Sequence, residues 1–213
     1  MTVPVEQTPA GGPANTSAPR SRLQAWLLVG IFFAPLLLAF LFYYGLGVRP
    51  AGNTNHGDLI TPPVPLPEVA LPGIDAANTN LPADILRGKW TMIFIGDGAC
   101  DARCREALTL MRQTRLALND DATRIQRLFL ISGHCCDRQY LETEHAGLLL
   151  GRIDNPSGKT LLKTFPDTFA AAQRDRIYLV DPLGNLMMSY GPAAPPKGLL
   201  EDLKKLLKLS HIG

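Results

Sequence analysis

A long uncharged segment near the start of the chain limits the available architectures more than any other feature. No Asp, Glu, Lys or Arg occurs from Leu23 to Val48. A helix of about 20 apolar residues spans the hydrocarbon core of a bilayer, and this run exceeds that length. Trp26 near one end, and Tyr43 and Tyr44 near the other, suit the two interfaces of a membrane. The sequence therefore predicts a transmembrane anchor over residues 23–48.

The charges beside this segment predict its orientation. Arg20 and Arg22 precede it, and Arg49 follows it. Because basic loops stay on the cytoplasmic side, we expect the N-terminus in the cytoplasm and the rest of the chain outside. In a bacterium this describes a single-pass protein of the inner membrane with a periplasmic domain. The periplasm is an oxidising compartment, which suits redox-active cysteines.

A cleaved signal peptide is the alternative to an anchor. Its apolar core is about 7–15 residues long and is followed by a cleavage site of small residues. The apolar run here is longer, and the sequence Phe42–Gly47 at its end offers no such site. An uncleaved anchor is therefore the favoured interpretation.

Changes of composition divide the chain into four predicted segments. Residues 1–22 are rich in Pro, Gly, Ala, Thr and Ser and predict a disordered cytoplasmic tail before the anchor. Residues 49–72 form a proline-rich linker, either a stiff spacer or an irregular arm packed on the domain. Residues 73–213 remain for one soluble domain. The net charge of +2 is too small to suggest a nucleic-acid partner.

The order of apolar segments in the domain predicts its fold. Short apolar runs predict buried strands, and periodic leucine-rich stretches predict amphipathic helices. The predicted elements are strand Lys89–Gly96, helix Cys100–Asn119, strand Arg124–Ser132, a weak helix over Pro156–Thr164, strand Arg176–Val180, strand Asn185–Tyr190 and helix Pro196–Leu209. This order predicts an α/β fold, a thioredoxin-like sandwich behind an N-terminal transmembrane helix.

Two cysteines in a C-x-x-x-C motif mark the candidate site. Cys100 and Cys104 follow the first predicted strand, where a helix start favours thiolates. A thiolate pair can exchange electrons as a dithiol/disulfide couple or hold Cu(I) or zinc. Side chains four residues apart on a helix have Cβ atoms about 5–6 Å apart, whereas a disulfide needs about 3.8 Å, so closure would distort the first turn. We expect an accessible catalytic pair in which Cys100 attacks and Cys104 resolves; the alternative is an inert pair of small residues packed under the helix.

A second sulfur-rich segment follows the next predicted strand. If the first two strands are parallel neighbours, their ends share one edge of the sheet, where ligand sites of such sheets lie. His134, Cys135 and Cys136 would then lie near the first cysteine pair, and we consider them as further metal ligands. The alternatives are a strained vicinal disulfide, a second thiol pair or ordinary loop residues for the adjacent cysteines, and a solvated ring for His134.

Two other polar residues belong to these predicted surroundings. Asp101 lies between the cysteines of the motif and is expected to stabilise the start of the helix through its negative charge. His145 lies beside Glu142 and Glu144 and is expected at the surface.

Several of these motifs together resemble the Sco/SenC proteins. The matching residues are Leu86-Arg-Gly-Lys-Trp90, Gly96, Cys100-x-x-x-Cys104, Phe129-Leu-Ile-Ser132 and Ile177-Tyr-Leu-Val-Asp181-Pro-x-Gly184. Sco/SenC proteins are membrane-anchored, thioredoxin-like copper proteins that help to assemble the CuA centre of cytochrome c oxidase. The resemblance implies Cu(I) as a cofactor at Cys100 and Cys104, and an oxidase subunit or its assembly proteins as partners.

The chain departs from the Sco/SenC pattern at two places. The family's third copper ligand is a histidine shortly before the tyrosine equivalent to Tyr178, and here that place is near Gln173, without a histidine. The loop after the second strand reads His134-Cys135-Cys136-Asp137, where the family has Asp-Pro-x-x-Asp. The chain thus resembles a divergent member, in which either His134 substitutes as a ligand or the cysteine pair acts by dithiol exchange alone.

Three functions are compatible with this pattern. The first is a membrane-anchored factor in cytochrome c oxidase assembly that acts on the copper site by Cu(I) delivery, dithiol–disulfide exchange or both. The second is a general periplasmic thiol–disulfide oxidoreductase or peroxide-reducing protein. The third is a thioredoxin-fold interaction module without catalytic activity.

Overall fold

The computed structural model describes residues 19–45, 54–74, 80–134, 136–165, 175–210 and 212. The chain divides into two units, Met1–Gly52 and Asn53–Gly213. Residues 1–18 of the predicted tail and residues 46–48 of the predicted anchor lie outside the described part of the chain.

An apolar helix forms the described part of the first unit. Helix α1 (Pro19–Phe40) continues as a π-helical turn over Leu41–Gly45. The residues from Arg22 onward are exposed on every side although nearly all are apolar, which is the composition of a helix that faces lipid. The span Arg22–Gly45 is long and apolar enough to cross a membrane, in agreement with the sequence.

A six-stranded sheet forms the centre of the second unit. Its strands are β1 (Asp58–Pro65), β2 (Trp90–Asp97), β3 (Ile125–Ser132), β4 (Leu148–Arg152), β5 (Ile177–Val180) and β6 (Asn185–Tyr190). The spatial order is β1-β6-β5-β2-β3-β4. Strands β2, β3 and β4 are parallel, and the other pairings are antiparallel. The helices of this unit are α2 (Ala102–Leu116), α3 (Arg138–Glu144), α4 (Pro156–Leu162) and α5 (Pro196–Leu209). The thioredoxin-like α/β fold is therefore confirmed.

Two apolar clusters hold the helices against the two faces of the sheet. Alternate residues of β2 enter different clusters: Met92 and Phe94 belong to the one that includes α2 and α5, and Ile93 and Ile95 to the one that includes α4. Every residue of β2 except Asp97 is buried. This explains why the strand is a continuous apolar run, since a strand covered on both faces has no solvent side to alternate with.

The segment expected as a spacer belongs in part to the domain, so a free spacer is wrong there. The segment packs on the domain as the alternative predicts, but as an edge strand and not as an irregular arm. Strand β1 pairs with β6, and Ile60 and Leu66 are buried in the cluster beside α4. Pro62 and Pro63 lack the N–H of a ladder donor, but an edge strand tolerates this loss. Their position coincides with an irregular register between Leu59 and Val64.

A buried carboxylate fastens this arm to the last helix. The carboxylate of Asp202 in α5 accepts hydrogen bonds from the backbone N–H groups of His56 (2.8 Å) and Gly57 (3.0 Å) and from the hydroxyl of Tyr190 (3.0 Å). Burial alone would raise the pKa of Asp202, but the hydrogen bonds from Gly57 and His56 outweigh burial and hold that pKa below its usual value. A Cβ on Gly57 would lie 2.6 Å from the Tyr190 ring, so only glycine allows this close approach.

His145 is buried, and its predicted position at the surface is wrong. Only 1% of the residue is exposed, and its Nε2 lies 2.9 Å from the hydroxyl of Tyr140. Burial, together with the positive charges of Arg112 and Arg127, lowers the pKa of His145 to about 4, so the ring is neutral at pH 7. The acidic neighbours that suggested a surface position are themselves exposed, while the ring turns inward at the end of α3.

The Asp202 contact generates a testable pH dependence. Asp202→Asn is expected to lower the free energy of unfolding by about 2 kcal/mol at pH 7, because charge-assisted hydrogen bonds are replaced by weaker ones. Since the folded-state pKa of Asp202 is depressed, the carboxylate stabilises the fold fully above its unfolded pKa of about 3.9, and this contribution disappears as the pH falls through the folded-state value. Urea denaturation of the full chain in detergent, followed by circular dichroism, measures both effects.

The matched control for this variant is Glu201→Gln. Glu201 is the preceding carboxylate on the same helix, but its side chain is 53% exposed. We expect it to change stability by less than about 0.5 kcal/mol. A stability difference between wild type and Asp202→Asn that stays constant down to pH 3 would contradict the assignment.

Candidate functional site: a disulfide at the end of strand β2

Cys100 and Cys104 form a disulfide directly after β2, with their Cα atoms 5.0 Å apart. The predicted helix begins too early, because α2 starts at Ala102 and Cys100 precedes it. Cys100 has a φ of +47°, in the left-handed region that is unfavourable for a residue with a side chain. Because Cys100 is not helical, the spacing of an ideal helix does not apply and the two sulfur atoms can meet. The distortion that the motif predicts is therefore found at Cys100, before the start of the helix.

The start of α2 is fixed by a side-chain cap. The Oδ1 of Asp101 accepts a hydrogen bond from the backbone N–H of Cys104 at 3.0 Å. Asp97 closes the preceding turn, since its carbonyl accepts from the N–H of Cys100 (3.1 Å) and its side chain accepts from Ala99 (2.8 Å). The stabilising role expected for Asp101 is thus observed as an N-cap, which also positions Cys104 within the first turn.

The disulfide is buried, and the expectation of an accessible pair is wrong for this oxidised form. Cys100 is 2% exposed and Cys104 is 4% exposed. Both belong to the apolar cluster that also contains Leu108, Ile131 and Leu141. A partner's thiolate must approach a sulfur atom directly in disulfide exchange, so the covering residues have to move before this bond reacts with a large partner.

The loop after β3 reaches the same edge of the sheet. Asp97 and Ser132 are register partners at the ends of the parallel strands β2 and β3. Gly133 then turns the chain with a φ of +76°, and a Cβ there would lie 2.5 Å from the Asp97 carboxylate. Cys136 is half-buried, packs against the cluster that contains the Cys100–Cys104 bridge, and is itself part of a disulfide. Cys135 lies outside the described residues.

The described part of the loop does not bring a third ligand to the cysteine pair. His134 is 94% exposed, and its Nδ1 lies 3.9 Å from the carboxylate of Asp97. Among the described residues, no group of three His, Cys, Asp or Glu side chains is arranged to hold a metal ion. The place of the Sco/SenC histidine, near Gln173, falls outside the described residues, and the sequence contains no histidine from residue 146 to residue 210.

Arg105 is a residue of the site that sequence reasoning missed. Its Nε donates to the carbonyl of Cys100 at 3.2 Å, and its guanidinium lies 4.3 Å from the centre of the Tyr140 ring. Its Nη2 is 3.5 Å from a carboxylate oxygen of Asp137. Arg105 therefore connects the disulfide to the start of α3. An arginine next to the motif is visible in the sequence, but its partners on α3 follow only from the tertiary fold.

A groove beside the bridge runs along α2. Its volume is about 530 Å³, and its walls include Arg103 and Arg105 from the start of α2 and the apolar side chains of Ile177 and Leu199. An ion pair between Arg103 and Asp175, with an N–O distance of 2.9 Å, lies at the groove. The surface along α2 thus combines apolar walls with charges.

Comparison with protein families agrees with this geometry. Residues 90–210, more than half of the chain, match the model of the family described as the transmembrane-like, thioredoxin-like, C-terminal domain. The chain belongs to this family. The matched segment begins with β2 and ends after α5, so it contains the disulfide and every strand of the sheet except β1. No curated protein matches the chain.

Solved structures with a similar fold include Sco proteins. Yeast Sco1 with copper bound is 18% identical, with 75% of this chain and 96% of that chain covered and a TM-score of 0.56. Apo Sco1 from Thermus thermophilus is 18% identical, with 73% and 99% covered and a TM-score of 0.56. The thioredoxin domain of a thiol-disulfide oxidoreductase from Bacteroides vulgatus is 16% identical, with 67% and 96% covered and a TM-score of 0.50. The Sco/SenC resemblance predicted from the motifs is therefore confirmed at the level of the fold.

The N-cap of α2 gives a prediction for this family member. Asp101→Ala is expected to lower the free energy of unfolding by about 1 kcal/mol, because the N–H of Cys104 loses its acceptor. Asp101→Asn is the matched control and should stay close to wild type, since asparagine caps helices about as well as aspartate. Denaturation curves of the oxidised proteins measure both variants. Equal losses for alanine and asparagine would show that charge, not capping, is what matters.

Proposed function

We propose that the chain is a membrane-anchored thiol–disulfide exchange factor that reduces cysteines of a copper site during cytochrome c oxidase assembly. The observation that carries the proposal is the Cys100–Cys104 disulfide after the central strand of a thioredoxin-like domain. The choice of a copper site as the substrate is supported by the resemblance of the motifs and the fold to Sco proteins. The apolar helix α1 is the proposed anchor, which would hold the domain on the periplasmic side of a bacterial inner membrane.

The exchange step starts from the reduced chain. The Cys100 thiolate attacks a disulfide of the copper-site protein, which forms one mixed disulfide and releases one thiolate of the partner. Cys104 then attacks Cys100, which forms the observed bridge and releases the second partner thiol. Two electrons and two protons pass to the partner, whose reduced cysteines are then able to bind copper. The N-cap holds Cys104 in the first helical turn beside Cys100, which is the geometry that resolution requires.

The environment of the pair favours this chemistry. Cys100 directly precedes the N-cap of α2 and Cys104 lies in its first turn, so both sulfurs are near the helix N-terminus, whose dipole stabilises a thiolate. Asp101 opposes that effect with its own charge, so the potential of the couple depends on both. The apolar cluster around the bridge excludes water from the sulfurs in the oxidised form.

A general thiol–disulfide oxidoreductase and a module without catalytic activity are the competing functions. A general oxidoreductase would reduce unrelated disulfides, such as those of insulin, or a peroxide as fast as a copper-site protein. A module without catalytic activity would be unaffected by replacement of either cysteine of the bridge. The substrate range therefore tests the general oxidoreductase, and the cysteine variants test the module without catalytic activity.

A single-turnover assay tests the proposal. The full chain, reduced chemically and freed of reductant in detergent, is mixed with the soluble domain of an oxidase copper subunit whose two site cysteines are disulfide-bonded. We expect stoichiometric reduction by wild type and at least about 100-fold slower reduction by Cys100→Ser, because the attacking sulfur is absent. Cys104→Ser should accumulate the mixed disulfide, which mass spectrometry detects.

The double variant Cys135→Ser/Cys136→Ser is the matched control for this assay. It keeps the Cys100–Cys104 couple, so a pre-reduced sample should react at the wild-type rate. Reduction that persists in Cys100→Ser, or that is equally fast with insulin, would remove the support for the proposed role.

Cu(I) delivery is the second candidate function, favoured by the similarity to a Sco structure that holds copper. The reduced Cys100 and Cys104 would hold the ion, since thiolates are ligands that Cu(I) prefers. Competition titration of the reduced chain with a chromophoric Cu(I) chelator should give one bound ion per chain. Binding should fall by at least about tenfold in Cys100→Ser, whereas the oxidised chain should not compete, because its sulfurs are bonded to each other.

His134→Ala separates two forms of the copper site in the same titration. A weaker affinity would assign the third ligand to His134, whose exposed ring would then have to leave Asp97. An unchanged affinity would exclude the substitution of the Sco/SenC histidine by His134.

A further inference from the structure

The buried bridge raises the question of how it is reduced again after each exchange. Cys100 and Cys104 are 2% and 4% exposed, whereas Cys136 is half-buried and reaches solvent. A thiol of a protein-sized reductant can therefore approach Cys136 more readily than either sulfur of the bridge. The function proposed above requires this reduction step, and the inference that follows rests on it.

The fold brings Cys136 and the bridge to the same edge of the sheet from two neighbouring strands. Cys100 lies three residues after Asp97, and Cys136 lies four residues after Ser132. Asp97 and Ser132 are register partners in the parallel ladder, so both cysteines leave the sheet at the same edge. Cys136 then packs on the apolar cluster to which the bridge belongs.

Arg105 holds the two segments together. The same guanidinium donates to the carbonyl of Cys100 and lies next to Asp137, the residue after Cys136. It also stacks on Tyr140, two residues into α3. The backbone at Cys100 and the backbone beside Cys136 are thus fastened to one side chain, which limits how far the two can separate.

We propose that Cys136 is the thiol through which electrons enter the buried Cys100–Cys104 disulfide. The external reductant is a dithiol protein, which first reduces the disulfide that contains Cys136. Cys136 is then a second redox-active cysteine of the exchange reaction and not a structural loop residue. This explains why a chain with a shielded C-x-x-x-C bridge carries a second, more accessible sulfur at the same edge.

Electrons pass from the Cys136 couple to the bridge in two successive disulfide exchanges, which we call the relay. The Cys136 thiolate attacks one sulfur of the Cys100–Cys104 bond, which breaks that bond, forms a mixed disulfide and releases the other sulfur as a thiolate. The second thiol of the couple to which Cys136 belonged then attacks the Cys136 sulfur. This re-forms the original disulfide of Cys136 and releases the second thiol of the bridge. Two electrons and two protons move from one couple to the other, and the dithiol protein supplies them.

The first experiment measures the reduction rate of the bridge. The oxidised full chain in detergent is mixed with reduced thioredoxin, quenched with acid, alkylated and digested. Cys136→Ser should slow the appearance of reduced Cys100 at least tenfold, and Cys136→Ala should do the same. A pre-reduced sample of either variant should still reduce the copper-site protein in single turnover. An unchanged reduction rate in both variants would overturn the proposal while leaving the proposed function intact.

The second experiment traps the intermediate. In Cys135→Ser the Cys136 thiol can attack the bridge. The neighbouring thiol in sequence is absent and cannot then attack Cys136 to resolve the mixed disulfide. We expect a covalent link between the peptide that contains Cys136 and one of the bridge peptides. Trypsin cleaves after Arg103, so separate peptides carry Cys100 and Cys104 and identify the sulfur that is attacked. Absence of both links, with the two bridge cysteines still bonded to each other, would contradict the relay.

Discussion

The parallel ladder between β2 and β3 is the constraint on which the rest of the domain depends. The two strands pair without a break from Trp90 and Ile125 to Asp97 and Ser132. Both are buried on their two faces, so a shift of register would move apolar side chains out of both clusters at once. The fixed register places the two sulfur-bearing loops at one edge, and α2 begins from there. The geometry of the candidate site is thus a consequence of how the core of the sheet is packed.

The parts of the fold that the sequence predicts are those in which local pattern and burial agree. β2, β3 and β5 are predominantly apolar, and α5 has leucines on a single face, so each is recognisable without its neighbours. Strand β1 is not recognisable in this way, because it contains three prolines and forms only by pairing with β6 at the edge. The five-residue strand β4 and the seven-residue helix α3 are also too short to show a clear hydrophobic pattern in the sequence. Their positions depend on contacts with β3 and with Arg112 and Arg127.

The candidate site shows the same division. The C-x-x-x-C spacing after an apolar strand is enough to single out the cysteines, and Asp101 is visible as a helix-start residue. The burial of the bridge is not visible, since the apolar cluster to which it belongs is assembled from segments distant in sequence, α2, β3, α3 and α5 among them. The role of Arg105 is also absent from the sequence pattern, because Asp137 and Tyr140 become its neighbours only when α3 packs beside α2.

The unusual backbone of Cys100 has a consequence for how partners would tell the two redox states apart. The left-handed φ of Cys100 occurs at a residue with three restraints: its bond to Cys104, its N–H bonded to Asp97 and its carbonyl bonded to Arg105. Opening the disulfide removes one of these restraints, and a return of Cys100 to an ordinary conformation would turn its carbonyl away from Arg105. The guanidinium would then be released from one of its three contacts, and the surface between α2 and α3 would change shape. A partner that binds the dithiol form would therefore meet a different surface once its own disulfide has been reduced and the Cys100–Cys104 bridge has formed. This change favours departure of the partner after a single turnover.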